Sequence, residues 1–253
     1  MADSRCLRLV RPGDRGEVEL GTALLRRFLG IAGDEPVELT FLGRGGAHLA
    51  HATNEAEHAR LLKLADAERR FSGAYQLVNG PLAATLLCRY QPNRVHKAWN
   101  GRAGDKDVAC RRAVYIDIDP IRPKGISATE DEKRAAADVR DAVAELVSHA
   151  VRTANAVGLG DSGNGYFVLI AVEPRPPSPE TEAAITRFLK LLARKYNTEH
   201  VQIDATVGNL GRLMPCPGTW KRKGEDTSER PHRRVYFSCR PRIDRVPLEA
   251  IVG

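Results

Sequence analysis

The sequence has no long hydrophobic run and no closely spaced pair of cysteines. Its longest uninterrupted apolar stretch, residues 167–172, is far too short to span a bilayer, so we expect no membrane segment. The first residues also lack the apolar core of a secretory signal, and this absence favours a cytoplasmic location. Five cysteines without a CxxC pair are typical of reduced thiols and not of a disulfide framework.

Several common site signatures are missing as well. No GKS or GKT sequence leads into a helix as in a Walker A loop, and the full GxGxxG dinucleotide pattern is absent. Cys88, His96 and Cys110 are irregularly spaced and include no CxxC or HxxxH pair, which argues against a zinc site. The sequence also contains no internal repeat and no low-complexity linker, which predicts one compact unit.

Positive charge is what the chain has in excess. The 253 residues are 42% hydrophobic and 28% charged, with a net charge of +7. Nine Lys or Arg stand against four acidic residues between positions 219 and 245. Such a run is either a solvated surface or a binding site for a polyanion, and charge alone does not separate the two.

The order of periodic segments predicts an α+β fold, with helices mainly on one face of a mixed or antiparallel sheet. The predicted helices are 22–29, 54–65 with a Thr53 cap, a long helix from the Thr129 capping box to about 157, and one starting at Pro179. The predicted strands are 37–42, 71–78, 113–119, 166–172, 201–204 and 234–239. The proline-rich run 174–177 is predicted as a loop.

The stretch AVYIDIDP, residues 113–120, carries two acids in an otherwise apolar strand. Residues i and i+2 of a strand project from one face about 6.5–7 Å apart, so Asp117 and Asp119 can reach one metal ion. Ile116 and Ile118 then point to the opposite, buried face. The alternative is an edge strand with two solvated acids, and the proximity of two repelling carboxylates to a strongly apolar strand argues against it.

Asp204 supplies a third acid at the end of the strand VQID. Three carboxylates at strand ends meet the needs of a two-metal nucleotidyl-transfer site, because Mg²⁺ and Mn²⁺ prefer oxygen ligands and keep several waters. Taken alone, an Asp before a turn is more often a cap or a turn residue.

The turn GDSGNGYFVL precedes another strand and is rich in glycine. Ser162, Gly163, Asn164 and Gly165 would let backbone N–H groups approach an anion such as a phosphate. A plain β-turn is the alternative that local sequence leaves open.

The segment PGTWKRKGEDTSERPHRR interleaves basic side chains with Trp220. This pattern suits phosphate and base contacts with a nucleotide or a single-stranded nucleic acid. His232 on its own is equally well explained as a hydrogen-bonded structural histidine.

Taken in order, these motifs resemble the primase-polymerase (PrimPol) branch of the archaeo-eukaryotic primase superfamily, found in phages, plasmids and mobile elements. The resemblance covers about residues 71–240. The sequences that carry it are GAYQLVNGP, DKDVACRRAVYIDID, YIDIDPIRPKGISATEDE, DSGNGY, QIDATVGNLGRLMPCPGTWKRKG and ERPHRR.

The resemblance implies a catalytic core, 71–253, with an RRM-like sheet, beside an N-terminal α/β region, 1–70. It assigns Asp117, Asp119 and Asp204 to metal binding and catalysis with Mg²⁺ or Mn²⁺. The residues that it assigns to nucleotide or phosphate binding are Ser162, Gly163, Asn164, Gly165, Arg212, Lys221, Lys223 and His232.

The implied function is a metal-dependent, template-directed nucleotidyltransferase that acts on NTP or dNTP with a single-stranded DNA template. No helicase domain is present in this sequence, so any unwinding partner would be a separate protein or a part of the protein outside this sequence. The sequence departs from the family motif at Phe167. The motif usually runs SGNGYH, and its histidine would contact the triphosphate of the incoming nucleotide. Phenylalanine cannot make this polar contact. The alternative function is a catalytically weakened module that binds nucleotide or single-stranded nucleic acid.

Overall fold

Two five-stranded sheets form the framework of residues 16–252, the part of the chain that this computed structural model describes. Neighbouring strands are antiparallel throughout both sheets. The helices lie against the sheets and do not alternate with parallel strands, so the predicted α+β class is confirmed.

The first sheet combines four strands from the first hundred residues with one from much later in the chain. In chain order they are β1 (Val37–Gly43), β2 (Gly46–Ala52), β3 (Phe71–Leu77), β4 (His96–Lys97) and β9 (Leu213–Pro215). Their spatial order is β4-β2-β1-β3-β9. Helix α2 (Glu55–Ala67) packs on this sheet, and α1 (Glu17–Leu29) packs on α2. The division at residue 70 stays a prediction, and strands from beyond that point complete the sheet that begins before it.

The second sheet contains the acidic strand. In chain order its strands are β5 (Arg111–Pro120), β6 (Val157–Asp161), β7 (Tyr166–Arg175), β8 (Val201–Ile203) and β12 (Tyr236–Cys239). Their spatial order is β12-β6-β7-β5-β8. A separate ribbon pairs β10 (Trp220–Lys221) with β11 (Arg233–Arg234). Residues 234–239, predicted as one strand, are therefore divided between β11 and β12.

The remaining helices are α3 (Ala84–Leu87), α4 (Glu130–Ala150), α5 (Pro179–Tyr196) and α6 (Glu249–Val252). Helix α4 begins at the predicted capping box, in which Glu132 N donates to Thr129 Oγ1 at 3.2 Å and Thr129 N donates to Glu132 Oε2 at 2.8 Å. Helix α5 begins as predicted, with Pro179 at its first position.

One face of the second sheet is lined with aromatic rings. Successive ring centroids lie 5.5, 6.2 and 5.3 Å apart along the series Tyr115, Phe167, Phe237 and Phe28, the last of which belongs to α1. Asp117 shares this face, because it lies two residues from Tyr115 on β5 and opposite Phe167 on β7.

The opposite face is covered by α4. Tyr166, which lies next to Phe167 and so points the other way, has Lys133 Nζ 4.3 Å and the Arg140 guanidinium 4.4 Å from its ring centroid. Val143 and Val147 of α4 are buried in the same core. The sheet thus buries its apolar face under α4 and presents its acids on the other side.

Strand β6 is the largest error in the sequence prediction, which extended α4 to about residue 157. The helix ends at Ala150, and β6 begins at Val157. A side chain at Gly158 would collide with the Phe237 ring, and one at Gly160 would collide with the Phe167 ring. The two glycines make room for rings from neighbouring strands, and they remove the alternating pattern that would reveal a strand.

Other corrections concern boundaries. Strand β2 was missed because polar residues interrupt it, including His51, which is buried against Glu38 at 3.2 Å. The cap of α2 is Asn54 and not Thr53, since Asn54 Oδ1 accepts a hydrogen bond from the backbone of α2. Strand β7 continues into the proline-rich run 174–177, which was predicted entirely as loop.

No helix among residues 16–252 is both long and apolar enough to cross a membrane.

Candidate active site

Asp117 and Asp119 lie near the end of β5, on the face that points away from α4. Asp117 is opposite Phe167 of β7, and Asp119 is opposite Gln202 of β8. Both residues are partly exposed, while the intervening Ile118 is fully buried. The strand alternation predicted from the sequence is therefore present here.

Asp204 joins this pair through the backbone. It follows β8 directly, and its N–H donates to the carbonyl oxygen of Asp117 at 3.1 Å. Its Oδ1 accepts hydrogen bonds from Thr206 N at 2.8 Å and from Thr206 Oγ1 at 2.6 Å. Two of the acids thus come from β5, and the third comes from the loop that follows the adjacent strand β8.

Burial and mutual repulsion dominate the electrostatics of the acids. Burial raises the pKa of Asp117 to about 7, with further upward contributions from the negative charges of Asp119 and Asp204. The Tyr115 hydroxyl donates to Asp117 Oδ1 at 3.2 Å and, with Arg212, offsets part of this rise. The negative charges of Asp119 and Asp204 are thus close enough to oppose the ionisation of Asp117, which favours a bound cation.

Three cations border the acids. Arg122 Nη1 lies 3.7 Å from Asp119 Oδ1, and Arg212 Nη2 donates to the Thr206 carbonyl oxygen at 3.2 Å. Burial lowers the pKa of Lys223, as does the charge of Arg122, whereas the acids of β5 raise it. Lys223 therefore lies within the field of the acid pair, and its role in nucleotide binding stays a prediction.

The turn between β6 and β7 uses most of its own N–H groups. Ser162 N donates to the Gly165 carbonyl at 3.0 Å, Gly165 N donates to Ser162 Oγ at 2.9 Å, and Gly163 N donates to Asp161 Oδ1 at 2.7 Å. Asn164 is buried, and its Oδ1 accepts from Ala128 N at 2.9 Å. The turn is held rigidly, and an anion would meet fewer free N–H groups than the sequence suggested.

The two glycines of this turn touch the rest of the site. Gly163 has φ +87°, and a Cβ there would lie 2.7 Å from Lys221 Cβ. A Cβ at Gly165 would lie 2.6 Å from the Ile118 carbonyl oxygen and would also collide with Asp119 Oδ1. Close approach to β5 therefore requires glycine at position 165.

Gly165→Ala is expected to destabilise the fold by about 1–3 kcal/mol and to displace Asp119, because the new methyl group collides with β5. Urea denaturation measures the loss. Gly33→Ala is the matched control, since a Cβ there meets no atom within 4 Å, and we expect it to change stability by less than about 0.5 kcal/mol. Equal effects of the two substitutions would show that the turn does not pack against β5 as described.

Lys221 is a partly buried cation next to the turn. Burial lowers its pKa to about 7, with a smaller contribution from Lys223. Its Nζ lies 4.1 Å from the centroid of the Tyr75 ring, and it has no acidic partner among residues 16–252. A phosphate beside the turn would supply the missing negative charge.

His232 lies elsewhere. Its Nε2 is 3.0 Å from the Gly224 carbonyl oxygen, and its backbone N–H donates to Asp226 Oδ1 at 2.8 Å. The neighbouring Arg230 and Arg233 form ion pairs with acids in the first turn of α4. Within the described part of the chain, none of the hydrogen bonds or ion pairs of His232 involves the three acids or the turn, and its nucleotide role stays a prediction.

Phe167 is fully buried beside Asp117. Its ring stacks on Phe237, packs on Tyr115 and fills the space above Gly160. The departure from the family motif thus removes a polar group from the site and extends the aromatic core beneath it.

Tyr115 and Arg122 also contact the acids and were not predicted as site residues. Strand alternation signals Tyr115, because it precedes Asp117 by two residues. Arg122 follows Pro120 in an irregular segment, and no periodic pattern in the sequence predicts its contact with Asp119.

The residues fit a hard divalent ion by their chemistry, although the side chains do not yet converge. Among residues 16–252, no three carboxylate, imidazole or thiol groups are close enough to hold a metal ion as they stand. The acid set nevertheless presents only oxygen donors, and the charges of Asp119 and Asp204 add to the raised pKa of Asp117.

The cysteines have separate local partners. Cys110 Sγ donates to the Gly80 carbonyl at 2.7 Å, Cys88 Sγ lies 3.7 Å from the Ala84 carbonyl oxygen, and His96 Nε2 lies 3.0 Å from that of Gln91. Four cysteines are free thiols, and Cys6 lies outside the described residues.

Comparison with known proteins identifies the fold. No protein-family model and no curated protein matches the chain. The primase-polymerase (PrimPol) AEP domain of cyanophage S-2L is similar in structure, with a TM-score of 0.50 and 11% identity over 95% of this chain and 98% of that one. The polymerase domain of Mycobacterium tuberculosis ligase D, solved in complex with DNA, has a TM-score of 0.40 and 11% identity over 93% of this chain and 86% of that one. This TM-score is too low to add to the argument. The likeness to the phage domain confirms the predicted archaeo-eukaryotic primase fold.

Proposed function

We propose that this protein is a metal-dependent, template-directed nucleotidyltransferase, a DNA primase or polymerase. The observation that carries the proposal is that Asp119 lies against Gly165 of the glycine turn while Asp204 is hydrogen-bonded through its backbone to Asp117, in a fold shared with a primase-polymerase domain. Three carboxylates with neighbouring cations suit the transfer of a nucleotide, in which charge develops on phosphate oxygens.

In the proposed reaction, a primer 3′-OH or that of an initiating nucleotide attacks the α-phosphate of an NTP or dNTP. The 3′ hydroxyl loses its proton to solvent and its oxygen forms a bond to the α-phosphorus. The bond from that phosphorus to the oxygen shared with the β-phosphate breaks, and pyrophosphate leaves. Arg212, Lys221 and Lys223 border the acids or the turn and are suited to holding the triphosphate. The Ser162 hydroxyl, which accepts from Gly165 N, keeps its own proton for a phosphate oxygen.

Asp117, Asp119 and Asp204 would hold the Mg²⁺ or Mn²⁺. When bound, the ions lower the pKa of the attacking hydroxyl and neutralise charge on the leaving group. The protein's own contribution is to hold the three carboxylates beside the turn and to keep the aromatic face beneath them dry.

The second candidate function is a module that binds nucleotide or single-stranded nucleic acid without polymerising. Phe167 favours it, because this residue offers no polar atom where the related motif has histidine. Single-stranded DNA and nucleotides remain the proposed partners in both cases. A cytoplasmic location, a separate helicase partner and an origin in a mobile element are proposals from the sequence alone.

Incorporation of labelled NTP and dNTP, with Mg²⁺ or Mn²⁺, distinguishes the two functions. We expect product only when both template and metal are present, and none in EDTA. Tight single-strand binding without incorporation under either metal would contradict the polymerase proposal and leave the binding module.

A further inference from the structure

A second basic surface lies on the far side of the strand that carries Lys221. It is an open cleft of about 1050 Å³ between the end of β1, the start of β3, the strand around β10 and the loop 224–232. The basic and aromatic residues that line it are Arg44, Arg69, Arg70, Trp220, Arg222 and His232. The volume lies at the upper limit for small-ligand pockets and suits a longer ligand.

The arginines of this cleft are only partly neutralised. Arg70 pairs with Glu68, and Arg222 lies 3.8 Å from Asp66. Arg44 and Arg69 are exposed and have no acidic partner among residues 16–252. Two free guanidinium groups beside two paired ones form a surface that attracts anions.

Like charges act on one another across the cleft. Burial lowers the pKa of Arg222, against the charge of Asp66, and the charges of Arg234 and Arg69 lower it further. The acids on the cleft wall are Glu225 and Asp226, and Asp226 already accepts the backbone N–H of His232. A bound polyanion would neutralise several of these arginine charges and relieve their repulsion, whereas a single carboxylate could neutralise only one.

Trp220 adds an aromatic wall. Its ring is half-buried, with the Arg222 guanidinium 5.9 Å and the Arg234 guanidinium 4.8 Å from the centroid. Aromatic rings and guanidinium planes are the surfaces on which unpaired bases stack. Paired bases in a duplex have their faces covered by their neighbours, so this wall favours a single strand.

Strand alternation connects the cleft to the acids. Lys221 touches the turn at Gly163, and Lys223 lies in the field of the acid pair. Trp220, which precedes Lys221, and Arg222, which lies between the two lysines, face the cleft. One strand thus presents basic groups to both sides.

We propose that this cleft binds a single-stranded segment of nucleic acid, with phosphates on Arg44 and Arg69 and bases against Trp220. The inference rests on the proposed polymerase function, because the segment would be template that lies outside the acid site.

Binding of a fluorescent oligothymidylate of about 20 nucleotides, measured by anisotropy in EDTA without nucleotide, tests the proposal. Arg44→Gln combined with Arg69→Gln is expected to weaken binding about ten-fold and to reduce the slope of log K against log salt by about 1.4. The control combines Arg187→Gln with Arg194→Gln, two exposed arginines of α5, and removes the same charge. We expect it to change Kd less than about two-fold. Equal effects of the two double variants, or none, would overturn the proposal.

Fluorescence of Trp220 provides a second readout. The chain has two tryptophans, and Trp99→Phe leaves Trp220 as the only one. Saturating oligothymidylate is expected to quench its emission, and unchanged emission would contradict the proposal. Because neither measurement needs catalysis, a protein that binds normally but does not polymerise would contradict only the proposed function.

Discussion

Asp117→Asn is expected to make the protein more stable at pH 8, by about 2 kcal/mol or more, while it abolishes nucleotide incorporation. For a chain of this size that gain is roughly 4–8 °C in Tm. The physical reason is the raised pKa of Asp117, about 7, which means that its ionised form is disfavoured in the folded state. Asparagine keeps the shape of the side chain and removes the charge that burial, Asp119 and Asp204 oppose.

The sign of the pH dependence follows from the same pKa. Because the folded pKa is raised above the ordinary value of 3.8, Asp117 destabilises the fold as pH rises from about 4 to 7, and the full loss is present above 7. The difference in Tm between Asp117→Asn and the wild type should therefore be large at pH 8 and small at pH 4.5.

Thermal unfolding in EDTA at the two pH values measures this effect. Asp138→Asn is the matched control, because Asp138 is exposed on α4 and its substitution should leave Tm unchanged at both. An unchanged or lower Tm for Asp117→Asn at pH 8 would contradict the described clustering of the acids.

Phe167→His, the change that restores the family motif, is expected to lower the free energy of unfolding by about 2–4 kcal/mol without raising incorporation. The ring is fully buried between Tyr115, Phe237 and Gly160, so an imidazole there loses volume and lacks a hydrogen-bond partner. It would not reach a triphosphate in this packing.

Chemical denaturation and the incorporation assay together check this expectation. Phe167→Leu is the control for lost ring volume alone and should cost less than the histidine variant. Incorporation that rises several-fold in Phe167→His would show that position 167 faces the nucleotide and that its ring is not part of the core.

The acid pair was predictable because burial alternates along the end of β5, from Ile116 to Pro120. Ile116 and Ile118 are buried while Asp117 and Asp119 are partly exposed, as the period of two requires. Strand β6 was not predictable by the same rule. Its glycines make room for the rings of Phe167 and Phe237 on the two neighbouring strands, and β6 itself carries no residue that signals this packing.

The basic segment shows a similar limit. Its composition indicated a polyanion, but not that Lys221 and Lys223 would turn toward the acids while Trp220 and Arg222 face a cleft. That division depends on the pairing of β10 with β11. Arg44 and Arg69 carry no sequence signal at all, because they reach the cleft from turns at the edge of the first sheet.

The central claim is that the three acids act together in template-directed nucleotidyl transfer. Extension of a labelled primer by one nucleotide in Mn²⁺, compared between wild type, Asp204→Asn and Asp138→Asn, tests it most directly. We predict extension by the wild type and Asp138→Asn only with the complementary nucleotide, and a reduction of at least ~100-fold in Asp204→Asn. Equal extension by Asp204→Asn and the wild type would contradict the claim.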